Sequence, residues 1–211
     1  TPPPQFETLF VHRVRDAENQ KCEGKSIPEI AAEQGIAPMD ALANLALSES
    51  LETEFLWSTD TPEWREGTHL ASAHPQMLLG TSDAGAHLGR DDGAEFSSYF
   101  LQYWVREWGL WTLESAIREL TAIPAAVLGL SERGLIQVGY CADLFLFDPE
   151  TVGPDKKQLG VDRIPGQTRW SSRPKGIRAT IVNGVPIVEN GEITNEDARP
   201  GAIMKPGVSR L

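Results

Sequence analysis

Residues 177–194 read IRATIVNGVPIVENGEIT, with two Asn-Gly pairs, Asn183-Gly184 and Asn190-Gly191, set between apolar runs. Asn-Gly is the strongest short signal for a two-residue hairpin, because both central positions of a type I′ turn need a positive φ. Ile177 to Val182, Val185 to Glu189 and Glu192 to Thr194 are therefore predicted to form an antiparallel meander, and no helix fits this segment.

The rest of the chain divides around Gly134. Beyond it, Leu135-Ile136 and Ala142 to Phe147 read as strands, Asp148-Pro149 as a stop, and 152–175 as a Gly/Pro-rich connector. Before it, Phe6 to Val14 suggests a strand, and Ser26-x-x-Glu29 has the spacing of a capping box that opens a helix ending near Gln34-Gly35. Pro38 opens a second helix with Leu42, Leu45 and Ala46 on one face. Glu54 to Trp57 is a short strand candidate, Pro62 to Leu70 is irregular or helical, and Met77 to Thr81 is a predicted strand. Phe96, Tyr99, Phe100, Tyr103, Trp104, Trp108 and Trp111 recur at helical spacing, the pattern of a helix laying an aromatic stripe on a core. Thr112 is placed to cap a helix from Leu113 to Leu120, and Pro124 to begin a short one closed by Gly129. The predicted organisation is an α/β part over 1–133 and a β part over 134–211.

At 211 residues the chain can bury a full core without staples. Its 30 acidic and 19 basic residues give a net charge of -11, which would repel a phosphate backbone or an anionic lipid surface. Neither nucleic acid nor membrane is expected as a partner, and no apolar run approaches the length of a span. Cys22 and Cys141 belong to no metal or disulfide pattern, which favours a reducing, cytoplasmic setting.

Chemistry concentrates in residues 78–93, LLGTSDAGAHLGRDDG. An apolar run stops at Thr81-Ser82-Asp83 and is followed by the small residues Gly85 and Ala86. Local sequence leaves two readings open, an ordinary turn or a functional carboxylate with space around it. His87, four residues on, is a candidate to contact substrate or orient a neighbour, and Arg90 to pair with a substrate carboxylate. His12, His69 and His74 read as buried structural histidines.

GTSDAGAHL, then YFLQYWVREWGLWTLESAIRELTAIPAAVLGLSERGLIQVGYCADLFLFDPETV, then RATIVNGVPIVENGEITNEDARPG, together resemble the carboxyl-terminal third to half of the amidohydrolase superfamily, in its N-acyl-D-amino-acid deacylase (D-aminoacylase-like) branch. EGKSIPEIAAEQGIAPMDALANLAL is similar to that branch's helical connector. The resemblance implies the carboxyl-terminal part of a (β/α)8 barrel, a metal-dependent hydrolase fold, followed by part of a small β-sandwich domain. It places Asp83 at the end of the eighth strand as catalytic base and possible metal ligand, taking a proton from water bound to Zn2+ or a similar divalent metal. The implied substrate is a small N-acyl amino acid.

The family's other ligands include a histidine pair spaced HxH, and no HxH occurs here. The chain is expected to be a fragment, inactive and without tightly bound metal by itself, and to self-associate through unpaired strand edges. Two alternatives stand: a hydantoinase- or dihydroorotase-like cyclic amide hydrolase, and a non-catalytic scaffold or binding module.

Overall fold

The computed structural model of the chain describes residues 5–58, 60–80, 82, 84, 94–156, 158–161 and 164–204. It contains mixed α/β structure in two compact units, Thr1–Thr68 and His69–Leu211. Among the described residues no helix is long and apolar enough to cross a membrane. Cys22 is buried, Cys141 is half-buried, and both are free.

In the first unit, Phe6–Thr8 closes a 3-10 turn, so the strand predicted from Phe6 begins only at β1 (Leu9–Arg13). β1 pairs antiparallel with β2 (Glu54–Trp57). The capping box forms as its spacing requires. Ser26 Oγ accepts from Glu29 N at 3.4 Å, and Glu29 Oε2 accepts from Ser26 N at 2.7 Å. These bonds satisfy N–H groups left open where α1 (Ile27–Gln34) begins, and Gly35, at φ 66°, ends the helix. α2 (Pro38–Ser48) turns Ala41 and Leu45 inward, and they bury Ile27, Ile30 and Ala31 together with Val11. α3 (Pro62–Ser72) follows, running from this unit into the residues of the second, and makes helix of Pro62 to Leu70, for which the sequence leaves irregular chain equally open.

In the second unit the aromatic stripe is helical and does line a core. α4 (Phe96–Tyr99) passes directly into a π-helical stretch, Phe100–Glu107, where the spacing predicts ordinary α-helix. Trp108 N donates to Tyr103 O, five residues back, at 2.8 Å. Phe100, Leu101 and Trp104 are buried there with Ala116 and Val152. Thr112 caps α5 (Leu113–Leu120) by accepting from Ser115 N at 3.2 Å. α6 (Ala122–Val127) starts two residues before Pro124, which its first turn tolerates.

The β portion is richer than the sequence suggests. The predicted connector holds two small antiparallel pairs: β4 (Gly153–Pro154) with β7 (Pro174–Lys175), and β5 (Gln158–Val161) with β6 (Thr168–Ser171). The meander forms as β8 (Ile177–Val182), β9 (Val185–Glu189) and β10 (Glu192–Ile193). With β3 (Leu144–Phe147) it makes a four-stranded sheet ordered β10-β9-β8-β3. Two predicted strands are absent among the described residues. Leu135-Ile136 is irregular, with Ile136 92% exposed, and residues 77–80 are likewise irregular. Both are short apolar runs, and such a run becomes a strand only where another strand's edge completes its backbone hydrogen bonds.

Val152 joins the two kinds of structure. Its side chain is buried among the aromatic residues, its N donates to Asp148 O at 2.8 Å, and its O accepts from Arg106 Nη1 at 2.7 Å. Gly176, at φ 73°, runs so close that an added Cβ would lie 2.5 Å from Val152 N. Gly166 has a similar φ of 78° but open space around it. Gly166→Ala is therefore expected to cost about 1–2 kcal/mol for the left-handed backbone alone. Gly176→Ala should cost a further ~1–3 kcal/mol for the backbone clash, read by urea unfolding. Equal losses at the two positions would contradict this packing.

Candidate functional site

Asp83, His87 and Arg90, the residues singled out from the sequence, lie outside the described residues. The structure describes what leads up to Asp83. After α3 the chain turns at His74, where Met77 N donates to His74 O at 2.9 Å and Gln76 N to His74 Nδ1 at 3.3 Å. Leu79 then packs against the aromatic core. Around Gly80 there is open space, with nothing within 4 Å of where a Cβ would stand. Ser82 Oγ accepts from Ala84 N at 3.2 Å, a local hydroxyl-to-backbone bond. An anchored leucine, an uncrowded glycine and the Ser82–Ala84 bond thus lie on either side of position 83 in the sequence.

The other histidines divide. His12 in β1 and His74 are exposed, so the expectation that they are buried structural residues is corrected. His12 falls on the outward side of a two-stranded pair, and His74 on a turn. His69 is half-buried, with its ring edge-on to Trp111 at 5.2 Å between centroids. Among the described residues its Nδ1 and the Trp111 Nε1 are buried without a hydrogen-bond partner.

The most elaborate polar cluster in the first unit surrounds Glu49, which nothing in the sequence singles out. Its carboxylate is fully buried and accepts from Asn19 Nδ2 at 2.5 Å, Arg15 N at 2.5 Å and Asp16 N at 3.2 Å. The Asn19 amide first, then the backbone N–H groups, hold its pKa below the ordinary glutamate value against the opposing effect of burial. Directly after it, Ser50 and Leu51 take left-handed backbone conformations at φ 57° and 65°. Such geometry persists only where the surroundings enforce it. With its oxygens committed to the chain's own donors, Glu49 is a structural lock on the end of α2.

An open cleft of about 620 Å³ lies between the sheet and residues 195–201, lined by Val182, Ile187, Val188, Ile193 and Arg199. It contains no residue of the 78–93 motif. Arg199 Nη1 is already engaged by the carbonyls of Glu196 and Ala198. Among the described residues no three His, Cys, Asp or Glu side chains converge to hold a metal ion. Those residues therefore do not fit a metal centre.

Comparison with known proteins bears on what remains. A family model described as "Amidohydrolase family" matches residues 7–188. N-acyl-D-aspartate deacylase of Alcaligenes xylosoxydans xylosoxydans is 32% identical over 89% of this chain and 34% of that protein. D-aminoacylase of the same organism is 29% identical over 84% of this chain and 34% of its own length. A solved structure of D-aminoacylase, a protein with a binuclear metal center, superposes with a TM-score of 0.50 at 26% identity, covering 89% of this chain and 36% of the other. The chain thus spans about a third of the length of the relatives it matches.

The Glu49 lock generates a pH prediction. Because its folded-state pKa is depressed, its stabilising contribution is present above the ordinary carboxylate range and is lost as pH falls through the folded value. Urea midpoints measured from neutral pH down to about pH 3 should fall more steeply for the wild type than for Glu49→Gln, which should be the less stable of the two at neutral pH. Parallel curves would show that the buried carboxylate is not held ionised.

Proposed function

Since the chain belongs to the amidohydrolase family, we propose that it is part of a deacylase that hydrolyses the amide of N-acyl-D-amino acids. The observation that carries this is the family match over residues 7–188, which contains the whole GTSDAGAHL motif. The similar enzymes include one named for N-acyl-D-aspartate, one for N-acyl-D-glutamate and one simply D-aminoacylase, which supports a shared chemistry at the N-acyl-D-amino-acid amide rather than at any one side chain. In this reading residues 1–133 are the last strands and helices of a (β/α)8 barrel, and residues 134–211 are part of a β-sandwich domain.

Asp83 is assigned as the catalytic carboxylate. It accepts a proton from the attacking water and returns it to the leaving nitrogen, with His87 and Arg90 as substrate contacts. The anchored Leu79 and the Ser82–Ala84 bond would help fix its position, and the small residues Ala84, Gly85 and Ala86 would leave the space a substrate needs. The described residues do not assemble a metal site, so Zn2+ or a similar divalent ion in the complete enzyme would draw its ligands chiefly from residues other than those described, with Asp83 as a possible ligand. The isolated chain is proposed to be inactive.

Among the described residues the sheet ends in β3 at one edge, where Phe145 and Leu146 are 43% and 45% exposed, and in β10 at the other. Unpaired apolar edges favour pairing with a second copy. In light scattering at micromolar concentration the 211-residue chain should therefore run as a dimer or larger, and a clean monomer would contradict the proposal.

The catalytic assignment is tested with N-acetyl-D-amino acids and added Zn2+, on the isolated chain and on the protein encoded by the full reading frame. The chain alone should show no hydrolysis. In the full-length protein, Asp83→Asn should lower kcat by roughly a hundredfold to ten-thousandfold, with far less effect on KM. Turnover by the isolated chain would remove the need for further residues. An unimpaired Asp83→Asn enzyme would remove the role of Asp83.

A further inference from the structure

The two Asn-Gly pairs share a turn geometry but not an environment. Asn183 and Asn190 sit at nearly the same backbone angle, φ 48° and 51°, so the intrinsic strain of the turn does not distinguish them. Asn183 is half-buried and tied on three sides. Its Nδ2 donates to Pro200 O at 2.6 Å, its backbone N donates to Asp143 Oδ1 at 2.8 Å, and Gly184 N donates to Ala142 O at 2.9 Å. Asn190 and Gly191 are exposed. The Asn190 backbone N donates to Arg178 O at 2.9 Å, but among the described residues neither its side-chain amide nor Gly191 N has a hydrogen-bond partner.

From this difference we propose that Asn190-Gly191 is a site of spontaneous covalent modification, deamidation through a cyclic imide, and that Asn183-Gly184 is protected from it. The backbone nitrogen of Gly191 attacks Cγ of Asn190, with no Cβ on the glycine to obstruct the approach. A C–N bond forms as the Cγ–Nδ2 bond breaks, and the nitrogen's proton leaves with the departing ammonia. Water then adds to either imide carbonyl, opening the ring to aspartate or isoaspartate. Nothing is oxidised or reduced, and water is the sole co-reactant.

The same step at Asn183 is blocked at both of its atoms, since the nucleophile is held by Ala142 O and the leaving amide by Pro200 O. Access to the reactive geometry also needs the turn to open. The hairpin of Asn183 joins β8 and β9, paired from Ala179 to Val182 and from Val185 to Glu189, with β8 further held by β3. The hairpin of Asn190 has two ladder pairs among the described residues, Glu189↔Glu192 and Val188↔Ile193, extended by bonds from Thr194 N to Ile187 O at 3.1 Å and from Thr194 Oγ1 to Pro186 O at 2.7 Å, and its second strand, β10, is the end strand in the sheet order. Short edge pairings open at far lower free energy than interior ones.

The product would alter the sheet. A new carboxylate would stand between Glu189 and Glu192, which already face each other across the hairpin, and like charges opposed on adjacent strands destabilise the pairing. Isoaspartate would also lengthen the main chain through a two-residue turn that has no slack. Val188 and Ile193, which line the cleft beside residues 195–201, belong to that same pairing.

The test is to incubate the folded chain at mildly alkaline pH alongside a sample in denaturant, digest both, and locate aspartate and isoaspartate by fragment mass spectrometry. In denaturant the two Asn-Gly pairs should convert at similar rates. In the folded chain conversion at Asn190 should exceed that at Asn183 by about tenfold or more, the ratio expected if local opening of the edge is favoured by at least one decade. Equal folded-state rates, faster conversion at Asn183, or no conversion at Asn190 while the denatured sample converts would each overturn the proposal.

Discussion

Within the larger unit, the burial of Val152 is the constraint on which the rest depends. The aromatic residues from Phe100 to Trp111 expose too much apolar surface to stand as a solvated helix, and α5 covers them only in part, through Leu113, Ala116, Ile117 and Leu120. The remainder is closed by a β segment: Val152 itself, with Phe147 and Ile177 from strands on either side of it. That closure needs the backbone at Gly176 to pass within contact distance of Val152, and it needs Arg106 to satisfy the carbonyls of Pro149 and Val152 as they leave water. Asp148 N donates to Gly176 O at 2.9 Å, so the start of the meander is fastened at the same point.

This arrangement bears on the candidate site through Leu79, which packs on the same core a few residues before Asp83. A carboxylate in a turn is useful to catalysis only if its backbone is held, since a small misplacement removes most of the benefit of proximity. Near it in sequence, Leu79 packs on that core and Ser82 Oγ accepts from Ala84 N. Membership of the amidohydrolase family supplies the chemical context for the proposed role.

What was legible in the sequence was what local chemistry dictates. Ser26 and Glu29 make a capping box, Thr112 a cap, and Asn183 and Asn190 two-residue turns, because in each case the determining partners lie within a few residues. The strands expected at 77–81 and 135–136 failed in the described residues because a strand is a relation between two segments. The pairs β4-β7 and β5-β6 were missed in the Gly/Pro-rich connector for the same reason: weak β propensity was overridden by an available partner. Glu49 was hidden in the acidic run SESLETE, where its neighbours suggest a solvated face and only the fold reveals donors from Asn19, Arg15 and Asp16. The π-helical stretch follows a stripe whose spacing is that of an ordinary helix, and the sequence contains no sign of the register change. Of the candidate site, the motif was legible from resemblance, and near it the structure shows the Leu79 contact and the Ser82–Ala84 bond.

The central claim is that this chain contributes a catalytic carboxylate to a centre whose metal-holding residues lie chiefly elsewhere. Its most direct test is the zinc content, by elemental analysis after exhaustive dialysis, of the 211-residue chain and of the protein from the full reading frame. The account predicts stoichiometric zinc retained by the full-length protein and none by the chain alone. Stoichiometric zinc on the isolated chain would contradict it.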